Sequence, residues 1–268
     1  MMQPENALAS NGLTPPLKWA GGKRWLVPHL IPIWQAHQHR RLVEPFCGGL
    51  AVTLGLQPQR ALLNDMNPHV INLYRWLDRG LTLTIDLRYD SEVYYTHRAT
   101  FNRLIRAGQQ DTSHAAELFY YLNRTGYNGL CRFNRKGDFN VPFGRHRYVN
   151  YRTEFDEFRG AFSNFQFSIG SFEALTPDPD DFIYADPPYD VEFVSYSKEG
   201  FTWADQVRLV EWLSKHPGPI VLSNQATERI VQLYTEFGFD LHYYNSPRRI
   251  SNTGDRTPAR EVLATKRV

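Results

Sequence analysis

Little in this chain is long, repetitive or cysteine-rich, and each of those absences removes a class of protein. No apolar run approaches the roughly 20 residues a membrane-spanning helix needs. Residues 1–12 are polar, lack the apolar centre of a signal peptide and read as a disordered leader. Two cysteines, Cys47 and Cys131, give neither a disulfide framework nor a metal-ligand spacing, so no metal and a reducing, cytoplasmic setting are expected. No internal repeat occurs, and no GxGxxG fingerprint of dinucleotide binding. Charge is nearly balanced, 30 Lys+Arg against 28 Asp+Glu, so the net +2 names no partner. What remains is an ordinary globular composition, 42% hydrophobic and 22% charged.

The feature with most chemical content is Asp186-Pro187-Pro188-Tyr189, placed directly after the apolar run Phe182-Ile183-Tyr184-Ala185. That run reads as a buried parallel strand, and the Pro-Pro pair ends it sharply. The carboxyl edge of an open α/β sheet, where ligands bind, thus receives a carboxylate, a carbonyl and an aromatic face within four residues. Such a set suits a planar amino-heterocycle, with the acceptors on its NH2 group and Tyr189 on its ring. A strand followed by an incidental Pro-rich turn is the plain alternative.

Other segments share this rhythm. Leu42 to Phe46 reads as a first strand, followed by the turn Cys47-Gly48-Gly49 and a helix near Leu50. A second strand, Arg60 to Leu63, meets Asn64-Asp65. Glycines at a first strand-to-helix turn admit close approach of a ligand, and an acid about 17 residues further on accepts ribose hydroxyls. Asp65 as a helix N-cap is the competing reading. Ala20-Gly21-Gly22-Lys23 mimics a phosphate loop, but Leu17 stands in place of its first glycine and Arg24 in place of its Ser or Thr, so triphosphate binding is rejected.

Alternation breaks at Pro68. Helical spacing runs to about Glu117, and an irregular Gly- and Asn-rich stretch follows from Arg124 to Tyr151. Strands resume at Phe165–Ile169, Phe182–Ala185 and Pro219–Ser223, with late ones near Leu241–Tyr244 and Val262–Thr265. The expected organisation is an α/β sheet domain, residues 13–67 and 159–268, interrupted by an inserted, mostly helical unit, 68–158. Between Arg124 and Arg152 stand seven basic residues and one acid, Asp138, interleaved with aromatics. That pattern fits a polyanion-binding surface. Arg can read guanine bidentately, Asn can read adenine, and Leu or Pro can pack on a thymine methyl. Arg248, Arg249 and Arg256 offer further phosphate contacts.

These blocks together resemble the DNA adenine-N6 methyltransferases of the Dam type (the D12 class). The likeness rests on Lys18 to Lys23, Glu44 to Gly49, Asn123 to Arg132, Phe139 to Gly144, Asp186 to Tyr189 and the tail Arg248 to Ser251. Their order is that of the alpha group of amino-methyltransferases. Cys47-Gly48-Gly49-Leu50 replaces the commoner glycine pattern of the family, and Thr125 and Phe133 stand where Tyr is frequent.

The resemblance implies a Rossmann-like, S-adenosylmethionine-dependent fold acting on double-stranded DNA. It also implies a bacterial nucleoid-associated or phage-encoded enzyme with no membrane and no obligatory protein partner. It assigns the methyl donor to Trp19, Lys23, Phe46, Gly48, Asp65, Phe172 and Asp186, and catalysis to Asp186, Pro187 and Tyr189. It assigns DNA contacts to Lys18, Arg124, Tyr127, Asn128, Leu130, Arg132, Pro142 and Arg145, with GATC as target and base flipping as the route. Two rivals remain at this point. One is a ribosomal RNA guanine-N2 methyltransferase, against which the basic insertion argues. The other is a catalytically silent DNA-binding homologue, against which the intact Asp186-Pro187-Pro188-Tyr189 argues. Neither cysteine follows a proline, which removes a cytosine-C5 mechanism.

Overall fold

Alternation along the short strands sets the architecture. The computed structural model describes residues 13–190, 200–246 and 259–268; the leader and Arg248, Arg249, Ile250, Ser251 and Arg256 lie outside the described residues. A 3₁₀ turn at Lys23–Trp25 leads into α1 (Val27–His37), β1 (Leu42–Glu44), α2 (Ala51–Leu56), β2 (Ala61–Asp65) and α3 (Pro68–Asp78). Then come α4 (Ser91–Arg106), α5 (Ser113–Thr125), α6 (Asp156–Phe162), β3 (Phe165–Ile169) and β4 (Phe182–Ala185). The chain closes with α7 (Trp203–Lys215), β5 (Ile220–Gln225), α8 (Glu228–Glu236), β6 (Asp240–Ser246) and β7 (Ala259–Lys266).

Among the described residues these strands form one sheet in the order β3-β2-β1-β4-β5-β7-β6. All pairs are parallel except those made by β7, which runs antiparallel to β5 and β6. Successive residues point to opposite faces, and both faces are buried. Leu42, Phe182, Tyr184, Val221 and Leu263 pack on one side with Leu63, Val70, Tyr74 and Phe119. Val43, Ile183, Ala185, Leu222, Val262 and Ala264 pack on the other with Leu209, Leu213, Ile230 and Leu233 from α7 and α8. The result is the expected α/β sheet with helices on both faces. The chain winds outward from β1 to β2 and β3, then returns to β4 on the other side of β1. That reversal opens a crevice at the carboxyl ends of β1 and β4, where such sheets bind ligands.

The inserted region departs from the continuous helical text read in the sequence. Gly80, at φ +81°, ends α3; Asp90 caps α4 through the amides of Glu92 and Val93; Thr112 caps α5 through Ala115. Residues 81–90 are therefore not helical, and α5 continues past Glu117 to Thr125. Helix α3 lies against β2 and β3, with Arg75 Nη2 donating to the Phe167 carbonyl at 2.8 Å, and α6 packs on α3. The chain leaves the sheet layer after α3: α4 packs on α5, and α5 on α3. The Arg124–Tyr151 stretch is less irregular than its composition suggests. Isolated antiparallel bridges pair Gly126 with Phe143 and Phe133 with Phe139, folding it into a ribbon.

Leu263, five residues before Val268, is 1% exposed within the face shared by Tyr184 and Val221. Leu263→Ala is expected to lower unfolding stability by about 2–5 kcal/mol, read from urea denaturation. A change below about 0.5 kcal/mol would show that β7 contributes little to the sheet.

Candidate active site

The turn after β1 is shaped by an indole. Gly48 has φ +43°, and a Cβ on it would come within 2.6 Å of Trp19 Nε1; one on Gly49 would come within 2.7 Å of Trp19 Cβ. Both glycines are thus required by the packing of Trp19 across the turn, besides any approach of a ligand. The turn is fixed from below by Asn64, whose side chain donates to the carbonyls of Pro45 and Gly170 at 2.9 Å each. Asp65 holds it from the side, accepting Gly48 N–H at 3.0 Å and Asn67 N–H at 2.9 Å. The N-cap of α3 is Asn67, which accepts His69 N–H, so capping does not explain Asp65. One lone pair on each Asp65 oxygen remains for a ligand hydroxyl.

This turn forms one wall of a cavity of about 830 Å³. All seven residues expected to hold the donor (Trp19, Lys23, Phe46, Gly48, Asp65, Phe172 and Asp186) line it, as do Pro187 and Tyr189. Phe46, Phe172 and Phe201 form an aromatic corner, with centroids 5.5 Å (Phe46–Phe201) and 5.8 Å (Phe46–Phe172) apart. Glu44, Met66, Ser171, Tyr184, Asp205 and Arg208 also line the cavity, and sequence reasoning missed them. Glu44 and Met66 each adjoin a recognised motif and could have been found by that proximity. Arg208 could not, because its approach depends on how α7 docks.

Lys23 is the electrostatic centre. It is 3% exposed, and its ammonium lies 3.1 Å from Asp186 Oδ1, 3.7 Å from Glu261 Oε2 and 4.5 Å from the centroid of the Tyr189 ring. A lysine committed to two carboxylates is not a phosphate-loop lysine, consistent with the rejected motif. Ser223 Oγ donates to Asp186 Oδ1 at 2.8 Å, and Tyr184 OH lies 2.9 Å from Ser223 Oγ. Both partners of Asp186 meet at Oδ1; among the described residues no hydrogen bond reaches Oδ2. Burial raises the Asp186 pKa above the usual carboxylate value, against the pull of Lys23 and Ser223. The Asp-Pro-Pro-Tyr turn is held from behind: Gln206 Nε2 donates to the Pro188 carbonyl at 2.8 Å, and Asn224 fixes Gln206. Burial pushes the thiol of Cys47 well up and that of Cys131 up to about 12, so neither is a thiolate nucleophile.

The residues expected at DNA line no part of this cavity; most gather on the ribbon beside it. Tyr127 N–H donates to the Pro142 carbonyl at 2.9 Å and Asn140 N–H to the Arg132 carbonyl at 3.1 Å, which brings Tyr127, Asn128, Leu130, Arg132 and Pro142 onto one ribbon. Arg132, Pro142 and Arg145 are exposed, as is Tyr127. Arg132 Nε donates to Asn140 Oδ1 at 2.8 Å, which orients its guanidinium. Arg124 is turned away, with Nη2 on the Asn150 carbonyl at 2.8 Å. Lys18 joins this group through buried Asn123, whose amide accepts from Lys18 N–H at 2.8 Å and donates to the Lys18 carbonyl at 2.9 Å. Gly129, at φ +62°, lies so near that a Cβ would meet Lys18 Cβ at 2.3 Å. His69 stacks under Phe133 with centroids 4.8 Å apart; burial lowers its pKa to about 4, so it is a neutral support for the ribbon.

A family model described as D12 class N6 adenine-specific DNA methyltransferase matches residues 19–250. The chain belongs to that family. It is 34% identical over 263 residues to the Retron Ec67 DNA adenine methylase of Escherichia coli, covering 92% of this chain and 90% of the relative. It is 32% identical over 284 residues to the Type II methyltransferase M1.LlaDCHI of Lactococcus lactis subsp. cremoris, covering 97% and 98%. A DNA adenine methylase of Vibrio cholerae is 34% identical over 271 residues, covering 92% and 94%. The protein is therefore an adenine-specific DNA methyltransferase, and membership of this family implies S-adenosylmethionine as methyl donor. The cavity fits that molecule: it offers an acid with spare acceptors at Asp65, an aromatic corner and a carboxylate-rich inner end. No helix among the described residues is long and apolar enough to cross a membrane.

Glu44 supplies a pH test of the inner end. It is 3% exposed, accepts from the Thr53 hydroxyl, and burial raises its pKa to about 8. A carboxyl whose folded pKa lies above its unfolded value contributes stability that is complete below the unfolded pKa and is lost as pH rises through the folded one. Stability should therefore fall between about pH 5 and pH 8 in the parent, and fall less in Glu44→Gln. Equal pH slopes in urea unfolding of the two proteins would show that Glu44 stays ionised in the fold.

Proposed function

We propose that the chain methylates N6 of an adenine in duplex DNA at a defined site, GATC, after rotating that base out of the helix. The observation that carries this reading is the convergence of Asp186, Pro187 and Tyr189 with Asp65 and the Gly48 turn on one cavity, beside a basic ribbon. Catalysis belongs to the sheet, residues 13–67 and 159–268. Recognition belongs to residues 68–158, chiefly α4, α5 and the ribbon. GATC rests on the resemblance of the sequence blocks to Dam-type enzymes.

Bound in the cavity, S-adenosylmethionine supplies an electrophilic sulfonium methyl. The chain's residues prepare the acceptor. Adenine N6 is a poor nucleophile because its lone pair is delocalised into the ring. Asp186 Oδ2 and the Pro187 carbonyl accept the two amine hydrogens, which favours a pyramidal nitrogen and the cationic amine that forms. This stabilisation strengthens in the transition state, so it speeds transfer rather than merely tightening binding. The N6 lone pair would take the methyl, the S–C electron pair staying with the donor, and the cationic amine would pass one N–H proton to solvent. No covalent enzyme intermediate is needed, which agrees with two protonated cysteines. Tyr189 stacks on the extruded base. Such stacking contributes on the order of 1–3 kcal/mol, comparable with the few kcal/mol that extrusion costs.

Purified protein, methyl-labelled S-adenosylmethionine and unmethylated genomic DNA, followed by single-molecule mapping, should give N6-methyladenine confined to GATC. A different motif would overturn the target assignment and leave the chemistry. Asp186→Ala should reduce transfer by at least on the order of 10²–10³ while duplex binding stays within a few-fold; a variant that still methylates would refute the role of Asp186. Arg132→Ala should cost about 1–3 kcal/mol of discrimination at one base pair, measured as the ratio of kcat/KM on cognate and single-substituted sites. Uniform weakening on all sequences would make Arg132 a phosphate contact.

A further inference from the structure

Glu261 stands on β7, in none of the recognised motifs, yet it reaches the centre of the site. It is 6% exposed and paired across the sheet with Gln225 and Tyr244. Its Oε2 accepts the Tyr189 hydroxyl at 2.6 Å and lies 3.7 Å from Lys23 Nζ. The Tyr189 ring is thereby gripped twice, through its hydroxyl by Glu261 and across its face by the Lys23 ammonium.

We propose that Glu261 is a positioning residue for methyl transfer, fixing the Tyr189 ring by its hydroxyl and drawing Lys23 partly off Asp186. This rests on the reading that Asp186 receives the adenine amine. Lys23 alone would hold Asp186 as a satisfied ion pair, a weak acceptor for an amine. A second carboxylate on the same ammonium divides that attraction, and its charge acts on Asp186 as a like charge, raising its basicity. Among the described residues the other groups facing Asp186 are Ser223 from β5, Tyr184 from β4, Glu44 from β1 and the more distant Tyr234 from α8. Apart from Glu44 they are uncharged hydroxyls, and Glu44 holds its proton below about pH 8. Glu261 is thus the group placed to share Lys23 with Asp186.

The test is single-turnover transfer across pH for the parent, Glu261→Gln and Tyr189→Phe, with donor affinity measured by calorimetry. Glu261→Gln keeps an acceptor for the Tyr189 hydroxyl but removes the charge. Transfer should slow roughly tenfold or more. The acid limb of its pH profile should move to lower pH, because Asp186 loses a neighbour that raises its pKa. Donor affinity should stay within about twofold, since the donor pocket is intact. Tyr189→Phe keeps the charge and loses the hydroxyl, so it should slow transfer with the acid limb unmoved. Should Glu261→Gln fail to fold, Glu261→Asp supplies the charge at shorter reach and should leave the acid limb near the parent position while slowing transfer. A Glu261→Gln protein with the parent rate and acid limb would overturn the proposal. A parent that binds donor but methylates no adenine would overturn the proposed function and this inference with it, and only that failure appears in the parent.

Discussion

The ammonium of Lys23 is the constraint on which the rest of the site depends. It is buried, it touches carboxylates from two strands, and it lies over the face of Tyr189. Asp186 comes from the end of β4 and Glu261 from β7, two strands separated by β5. Each carboxylate desolvated alone would be costly, and losing the shared cation from such a cluster typically costs about 3–5 kcal/mol. One lysine from the 3₁₀ turn before α1 therefore ties the beginning of the described chain to its end. The geometry of the Asp-Pro-Pro-Tyr turn is a consequence of this three-way tie as much as of its prolines.

The same short segment couples chemistry to recognition. Lys18 is clamped through its backbone to Asn123 at the end of α5 and lies against Gly129 of the ribbon. Its neighbour Trp19 lies across the Gly48-Gly49 turn, and Lys23 follows four residues later. One short strap thus joins the ribbon proposed to read DNA to the indole and the ammonium of the active site. Lys18 Nζ donates to the Arg124 carbonyl at 2.9 Å and lies 3.3 Å from His146 Nε2. It is thus held against the ribbon before any DNA arrives, with burial lowering its pKa. Preorganisation of that kind reduces the ordering that binding would otherwise require.

Legibility in the sequence followed the range of the interactions. Strand β4 and the turn after it could be read to the residue, because an apolar run and a Pro-Pro stop are local signals. The Gly48 turn and Asp65 were readable as a pair because β1 and β2 are adjacent parallel strands and their carboxyl ends must fall together. The helical reading of 68–117 overran because apolar spacing continues through Leu81 and Leu83 while the breaks lie in Gly80, Asp90 and Thr112, single residues of capping chemistry. The glycines were read as room for a ligand, whereas Trp19, about 30 residues earlier, already fills much of that room. Glu261 and Ser223 were invisible for a sharper reason. Ser223 meets Asp186 through the parallel register of β5 on β4, and Glu261 meets Tyr189 through the antiparallel register of β7 on β5; no local pattern encodes a register.

The arrangement of charged and proton-holding groups in the inner cavity suits the transfer of a positive charge. Lys23 lies between Asp186 and Glu261, while Glu44, Cys47, Tyr184 and Tyr189 hold their protons at neutral pH because burial penalises their ionised forms. Methyl transfer from a sulfonium to an amine never creates an anion; it passes one positive charge from sulfur to nitrogen and then to a departing proton. Acceptors fixed in place around a buried lysine stabilise the charge at each of those positions without reorganising.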